Sequence, residues 1–360
     1  MTNTHNDAVV IALSGGVDSS VAAWMLSRQS GRVFGATHYI QDDSPCCNTK
    51  TIYRARVICR DLGIPYRLLD MRSSFRQSVV DPFVETYRRA ETPNPCVRCN
   101  ERLRFGDFYH QVRRLLVEEG ALRETERPRI ATGHYARTAV VDGVTYIRKG
   151  VDPSKDQSYM LYRIPRDVLP HVCFPLGEYT KKEVVEIALR ENLPTKSIKE
   201  SQDICFADGG YIDFLRNRLG TEFVDRPGDL VDSSGKRLGQ HRGYLHYTIG
   251  QRQGLGLGDG PWYVSQIDGD ANRVVVARKG EFGTRRFSLS EVIWDLPDAP
   301  PFECMVKIRY NSGEVPCRVE GLSESGSLLV QLEEPASVTP GQSAVFYRDD
   351  LVIGGGIIDR

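Results

Sequence analysis

The fold turns on Ala12-Leu13-Ser14-Gly15-Gly16-Val17-Asp18-Ser19-Ser20. An apolar run, Val9-Val10-Ile11, precedes this stretch, and an amphipathic one, Val21-Ala22-Ala23-Trp24-Met25-Leu26, follows it. That order predicts a buried strand, a tight glycine turn and the start of a helix. Glycines let backbone amides come close to an anion, and the first turn of a helix adds partial positive charge. The stretch is therefore suited to phosphate. It lacks the Gly-Lys-Ser/Thr ending of a kinase-type loop, so the loop aims no lysine at a terminal phosphoryl group. The hydroxyls of Ser14, Ser19 and Ser20 and the carboxylate of Asp18 take the side-chain roles instead.

Outward from this loop, the first half of the chain alternates strand and helix. Strands are expected at 9–13, 33–39, 66–69 and 129–132. Helices are expected at 19–30 and at 52–62, the latter closed by Gly63 and followed by Pro65. Thr180 can cap a further helix at 181–192, whose apolar face is Val184, Val185, Ile187, Ala188 and Leu189. The alternation predicts an α/β fold with a doubly wound parallel sheet, binding ligands at the carboxyl ends of its strands. After Asp208 the texture changes. Short strands at 228–232 and 273–277 flank a stretch rich in Gly, Gln and Tyr, which reads as a small central α+β domain. Beyond Phe287 the pattern is all β, with strands at 305–310, 317–319, 328–332, 343–347 and 351–353 that suggest a small β-barrel. The proline-rich segment 295–301 is neither continuous helix nor central strand. The expected domains are 1–207, 208–283 and 284–360.

A length of 360 residues suits two or three domains, and 40% hydrophobic residues suit a well-cored globular protein. Lys plus Arg number 47, as do Asp plus Glu. Zero formal charge excludes a strongly basic coat, so any RNA site is a local patch. No run approaches the length of a membrane span, and the first seven residues are too polar for a signal peptide. Nine cysteines without an export signal argue for a reducing, cytoplasmic setting, with thiols serving as core, metal or catalytic groups.

Two cysteine segments carry candidate chemistry. Thr92-Pro93-Asn94-Pro95-Cys96-Val97-Arg98-Cys99-Asn100 holds two cysteines three apart in a proline-stiffened loop, and Glu200-Ser201-Gln202-Asp203-Ile204-Cys205-Phe206 holds a third. The glycine loop resembles the Ser-Gly-Gly-x-Asp-Ser loop of the N-type ATP pyrophosphatases, or PP-loop enzymes. These cleave ATP between the α and β phosphates and attach AMP to a substrate oxygen. Together with the cysteine segments, several blocks resemble the tRNA-specific 2-thiouridylases: Ala131-Thr132-Gly133-His134-Tyr135-Ala136, Lys155-Asp156-Gln157-Ser158-Tyr159, Pro175-Leu176-Gly177 and Tyr247-Thr248-Ile249-Gly250-Gln251-Arg252. The resemblance covers most of the chain. It implies an adenine nucleotide α-hydrolase-like fold, with ATP and Mg²⁺ as cofactors. It also implies 2-thiolation of the wobble uridine, position 34, in the tRNAs for Lys, Glu and Gln. The implied partners are tRNA and a sulfur donor, either a sulfur-relay protein or a cysteine desulfurase, with no membrane.

The same resemblance assigns roles. Cys205 carries a persulfide, and Cys99 is the nucleophile that attacks it; both need a thiolate at neutral pH. Arg98, Arg102 and Arg104 are sources of positive potential near Cys99. Cys96 departs from the family pattern, in which many members carry Asp. Three routes stay open: Cys96 is a bystander; Cys96, Cys99 and Cys205 hold a [4Fe-4S] cluster; or the thiolates bind zinc, which needs a fourth ligand in a closed site. ATP falls to Ala12, Leu13, Ser14, Gly15, Gly16, Val17, Asp18, Ser19, His38 and Gly133. His38 touches adenine, and Asp18 is a metal-proximal carboxylate. On the RNA side, Asn94, Pro95 and Cys96 lie beside the everted uridine, and His134 positions reacting groups. Lys155, Asp156, Gln157, Arg309, Tyr310 and Gln342 also face tRNA. Arg88-Arg89, Arg113-Arg114 and Arg285-Arg286 read as solvated surface. Cys46-Cys47 has no assignment, and Cys59, Cys173, Cys304 and Cys317 read as core. The alternatives are another PP-loop enzyme, either an amide-forming synthetase or a different tRNA thiolase, and a noncatalytic RNA-binding protein with a structural metal.

Overall fold

The structure, a computed structural model, describes residues 8–29, 31–41, 49–196, 204–207, 209–294, 300–324 and 326–360. Cys46-Cys47, most of the segment before Cys205 and most of the proline-rich segment at 295–301 lie outside the described residues. The chain divides into two compact units. The first comprises Met1–Val80, Cys96–Asp208 and Asp350–Val352; the second comprises Asp81–Pro95, Gly209–Asp349 and Ile353–Arg360.

The first unit is built on β1 (Ala8–Ala12), β2 (Arg32–Tyr39), β3 (Tyr66–Asp70), β4 (Arg129–Ala131), a hairpin of β5 (Ala136–Val141) and β6 (Val144–Lys149), and β7 (Val172–Cys173). Five of these strands form a parallel sheet in the order β3-β2-β1-β4-β7. Every residue of β1 is buried, as a central parallel strand requires. Val9, Ile11 and Leu13 pack with Val21, Ala22 and Met25 of helix α1 (Val17–Gln29) and with Ala55 and Ile58 of helix α2 (Thr49–Asp61). The expected doubly wound sheet is present. Its strand order reverses at β1, flanked by β2 and β4, and in such sheets the crevice beyond the carboxyl ends at the reversal receives ligand.

Element ends differ by short-range chemistry. Helix α1 begins at Val17 rather than at residue 19, because the Gly16 carbonyl accepts from Ser20 N at 3.2 Å and from the Ser20 hydroxyl at 2.8 Å. The helix Lys181–Arg190 has the expected Thr180 cap, in a full capping box with Glu183. It stops short of 192 because Asn192 turns left-handed at φ +50° and Leu193 N bonds back to Ala188 O. The β5–β6 hairpin turns on Asp142 and Gly143, at φ +50° and +80°, the signature of a tight type I′ connection.

The second unit contains β8 (Gly228–Asp232), β9 (Arg237–His241), β10 (Trp262–Asp268) and β11 (Arg273–Arg278) in a four-stranded sheet ordered β10-β11-β8-β9. It also contains β12 (Thr284–Trp294), β13 (Phe302–Lys307), β14 (Val315–Leu322), β15 (Leu328–Ala336), β16 (Ser343–Arg348) and, from Ile353 onward, β17 (Leu351–Ile358). These six run in the order β12-β15-β14-β13-β16-β17, and β17 pairs back to β12, closing a barrel. Closure removes exposed strand edges. The strand expected through Tyr310 ends instead at Lys307, because Ser312 N bonds to Arg309 O and the Ser312 hydroxyl accepts from Arg309 N, turning 309–312. Within this unit Phe83 meets Phe214 at 6.0 Å between ring centroids, and Tyr87 stacks on Tyr211 at 5.2 Å. Among the described residues no helix is long and apolar enough to cross a membrane.

Thr180→Ala removes one cap hydrogen bond and half of the capping box. We expect a loss of about 1 kcal/mol, read as a lower urea midpoint with an unchanged slope.

Candidate active site

Two chain segments meet beyond the carboxyl ends of β1 and β4. Gly15, at φ +69°, carries the first; a Cβ there would lie 2.4 Å from the Thr51 carbonyl oxygen. Gly133 carries the second; a Cβ there would lie 2.7 Å from Ser19 N and 2.9 Å from the Asp18 carbonyl carbon. Neither position accepts a side chain without backbone movement. The amides opening α1 are thus brought against the β4 turn. Ser14 is exposed, and its hydroxyl lies 3.2 Å from the Ser19 hydroxyl, which also accepts from Ser14 N at 3.3 Å. The side chains of Ala12, Leu13 and Val17 are buried, so these three residues offer a ligand only their backbone.

Asp18 is held from two sides. Lys181 Nζ sits 2.7 and 2.8 Å from its two carboxylate oxygens, and the Tyr135 hydroxyl donates to Oδ1 at 2.9 Å. Lys181 opens the helix capped by Thr180, and its backbone N–H donates to Asp152 at 2.9 Å. The sequence reading missed Lys181. A signal existed: Lys181 and Lys182 occupy the first turn of a helix, where the dipole disfavours positive charge, so a compensating anion was called for. That anion is Asp18, 163 residues away. A lysine therefore stands beside the glycine loop after all, supplied from outside it.

Next to this nest lies a chain of polar contacts. His134 Nδ1 meets the Thr132 hydroxyl at 2.7 Å, and Arg104 Nη1 lies 3.3 Å from His134 Nε2. A guanidinium only donates, so Nε2 accepts and the proton of the neutral ring sits on Nδ1, facing Thr132. Arg104 Nη1 also donates to Asn100 Oδ1 at 2.7 Å, and Asn100 Nδ2 donates to Met160 O at 3.0 Å. His38, at the end of β2, is buried with its ring 5.2 Å from that of Phe108. Burial, reinforced by Arg104, pulls His38 down to about 3 and His134 well below the ordinary histidine value. Both rings are neutral at physiological pH.

Three family models match in chain order: a tRNA methyl transferase HUP domain over residues 7–209, a tRNA methyl transferase PRC-barrel domain over 212–278 and an aminomethyltransferase beta-barrel domain over 284–358. Full-length relatives are more specific. The tRNA-specific 2-thiouridylase MnmA of Chloroflexus aurantiacus is 41% identical over 98% of this chain and 98% of its own. The protein of the same name from Acidithiobacillus ferrooxidans is 43% identical over 97% of both chains. This chain belongs to the tRNA-specific 2-thiouridylase family.

The positions that carry the family resemblance differ in how much of each side chain is open. Pro95 is buried at the start of the helical turn Pro95–Arg98, as suits a residue without an N–H. Cys96 is exposed, and Cys99 is half-buried at the head of a wide-turn helix, Cys99–Asp107. Cys205 is half-buried in a turn closed by Ala207 N to Ile204 O, with Phe206 packed edge-on to Phe75 at 5.5 Å. Of the three arginines near Cys99, Arg98 pairs with Glu101 at 3.0 Å and Arg102 lies 3.9 Å from the same carboxylate. Arg163 also holds Glu101, at 2.8 Å. Only Arg104 of the three turns toward the histidines. Among the described residues no three His, Cys, Asp or Glu side chains gather to hold a metal ion. Cys96, Cys99 and Cys205 therefore do not form a ready cluster or zinc site.

Several residues expected to face RNA hold the protein's own backbone or side chains. Asp156 accepts from Gly150 N, Ser158 N and the Ser158 hydroxyl. Gln157 accepts from Tyr135 N at 3.0 Å. Gln342 donates to the carbonyls of Thr92 and Pro93 at 2.9 and 3.1 Å. The Arg309 guanidinium donates to Ile249 O and to the Thr339 hydroxyl. Lys155 and Asn94 are half-buried, and Tyr310 is half-buried with Lys307 Nζ 5.6 Å from its ring centre. Cys59 and Cys317 are core as expected, whereas Cys173 and Cys304 are only partly covered. Burial pushes the Cys59 thiol up to about 12, which makes it inert.

Unfolding frees His38 to take up a proton below its ordinary value of 6.5. The unfolded chain then binds more protons, so the contribution of His38 is complete above 6.5 and is lost as pH falls toward about 3. Melting points measured from about pH 8 to about pH 4 should fall with acid, and His38→Asn should flatten that slope by up to one proton.

Proposed function

We propose that this chain uses ATP to replace the O2 oxygen of the wobble uridine of tRNA with sulfur, in the cytoplasm. The observation that carries the reading is the amide-lined nest at the β1–β4 reversal, in a chain that aligns end to end with thiouridylases. A uracil carbonyl oxygen is a poor leaving group, and AMP esterified to it is a good one. O2 attacks the α-phosphorus, pyrophosphate leaves, and C2 becomes open to a sulfur nucleophile. The amides of α1, the hydroxyls of Ser14 and Ser19 and the Lys181 ammonium face the charge that builds on the departing phosphates. Neutral His38 suits contact with an uncharged adenine ring, and neutral His134 adds no second cation beside Arg104.

Magnesium fits this site as an ion carried in on the triphosphate. Mg²⁺ keeps most of its water and takes one or two carboxylates together with substrate phosphates, and Asp18 offers one carboxylate. Among the described residues no three metal-binding side chains gather to hold a [4Fe-4S] cluster, so we route sulfur through thiols, a route that needs only Cys99 and Cys205 to approach one another. A donor protein leaves a persulfide on Cys205. The Cys99 thiolate attacks the Cys205 Sγ, forming a Cys99–Cys205 disulfide and expelling hydrosulfide. Hydrosulfide adds at C2 and AMP departs. The sulfane sulfur is reduced by two electrons and the two cysteines are oxidised by two; a cellular thiol then reduces their disulfide. Asn94, Pro95 and Cys96 are proposed to line the pocket of the everted base, with Lys155, Arg309 and Tyr310 toward tRNA. Asp156, Gln157 and Gln342 hold backbone that these contacts rely on. The preferred tRNAs are those for Lys, Glu and Gln.

Cys99→Ser and Cys205→Ser should each abolish 2-thiouridine while leaving tRNA-dependent pyrophosphate release measurable; thiolation by both variants overturns the sulfur route. Lys181→Met should slow pyrophosphate release by about 10²-fold or more, with Lys181→Arg retaining part of the rate. Affinity for tRNA should fall linearly on a log–log plot against salt as phosphate contacts release counterions; a flat plot removes the proposed RNA surface.

A further inference from the structure

In the barrel, Cys304 of β13 and Cys317 of β14 stand directly opposite one another in an antiparallel register. Their sulfurs are 3.5 Å apart. Directly opposed residues in antiparallel strands have Cα atoms about 4.5–5.5 Å apart, inside the range of about 4.4–6.8 Å that a disulfide spans. Bonding requires the sulfurs to close by roughly 1.5 Å, a side-chain adjustment with no change of register. The surrounding barrel is firm: Val306, Val319 and Leu332 are fully buried. Cys304 is partly exposed and Cys317 is buried, and both residues border a cavity of about 510 Å³. That volume lies within the range of small-molecule sites. Arg285, Arg318 and Arg348 line the same cavity with Glu303 and Glu333, so its wall offers both signs of charge.

We propose that Cys304 and Cys317 form a thiol–disulfide exchange site for low-molecular-weight disulfides, separate in role from Cys99 and Cys205. The two sulfurs are not equivalent. Cys317 is 3% exposed, and its contact with Cys304 together with burial holds its proton. Cys304 is the more open of the two and attacks first. Its thiolate bonds to one sulfur of the small disulfide and expels one thiolate. The expelled thiolate takes the Cys317 proton. Cys317 Sγ then attacks Cys304 Sγ and expels the second small thiolate, which takes up from water the proton that Cys304 released on ionising. The protein pair loses two electrons and two protons, and the small disulfide gains them as two thiols. The product ties β13 to β14 across the strand pair.

The test uses the full chain, reduced and then incubated with glutathione disulfide. The sample is denatured in alkylating agent, digested and mapped by mass spectrometry. The expected product is one peptide pair joined through Cys304 and Cys317, with both cysteines lost together to alkylation and both recovered after reductant. In Cys317→Ser, Cys304 should retain a single glutathionyl group in place of the bridge. Recovery of both cysteines fully alkylated from the wild type overturns the proposal. So does a glutathionylated Cys304 beside an alkylated Cys317, or a bridge from either to another cysteine.

Discussion

Two backbones meet in this protein where no side chain fits, and the proposed nucleotide site depends on that meeting. The absent Cβ of Gly133 lets the turn after β4 rest on the first turn of α1. Gly15 meets the Thr51 carbonyl in the same manner from the other side. Parallel strands splay their connections apart at a reversal of strand order, leaving a crevice. Here glycine on both rims lets bare amides line it. A methyl group at either rim would push the loop outward and replace hydrogen-bond donors with hydrocarbon.

Charge within the site is sparse and localised. Burial keeps two histidines neutral, and Glu101 holds Arg98 and Arg163. Among the described residues, Arg104 turns toward the histidines and Lys181 toward the glycine loop. Lys181 also links the helix Lys181–Arg190 to α1, because it opens one and holds Asp18 at the head of the other. An ion pair between half-buried groups that share a third partner, Tyr135, is better determined than an exposed pair. In the proposed reaction, incoming phosphate would compete with Asp18 for the same ammonium, which would couple nucleotide binding to the seating of this helix through one side chain.

Features with local causes were legible in the sequence. The buried strands, the glycine turn and the Thr180 cap each depend on residues within a few positions of one another, and the structure has all of them. The β5–β6 hairpin was legible too, since Asp142-Gly143 between two alternating segments is a strong turn signal, yet it went unread. Lys181 was different. Its partner lies 163 positions away, and only its awkward place on a helix dipole hinted at one. The wide-turn helix Cys99–Asp107 escapes periodicity because its turns are not 3.6 residues long, and Gly106 breaks it further with ψ near −107°. The cross-strand cysteines were read as core because alternation says which face a residue takes and does not say what stands opposite.

The segment Asp81–Pro95 belongs with the second unit although chain order puts it inside the first. Phe83 and Tyr87 find their aromatic partners in Phe214 and Tyr211, and Thr92 N donates to Pro340 O. The domain order legible in sequence is therefore not a guide for scissors. A fragment cut after residue 207 would carry two large aromatic rings stripped of their neighbours and a proline loop without its tether. Such a piece would be sticky, and its loss of activity would say little about which half does the chemistry. Dissection of this protein calls for point changes in the intact chain.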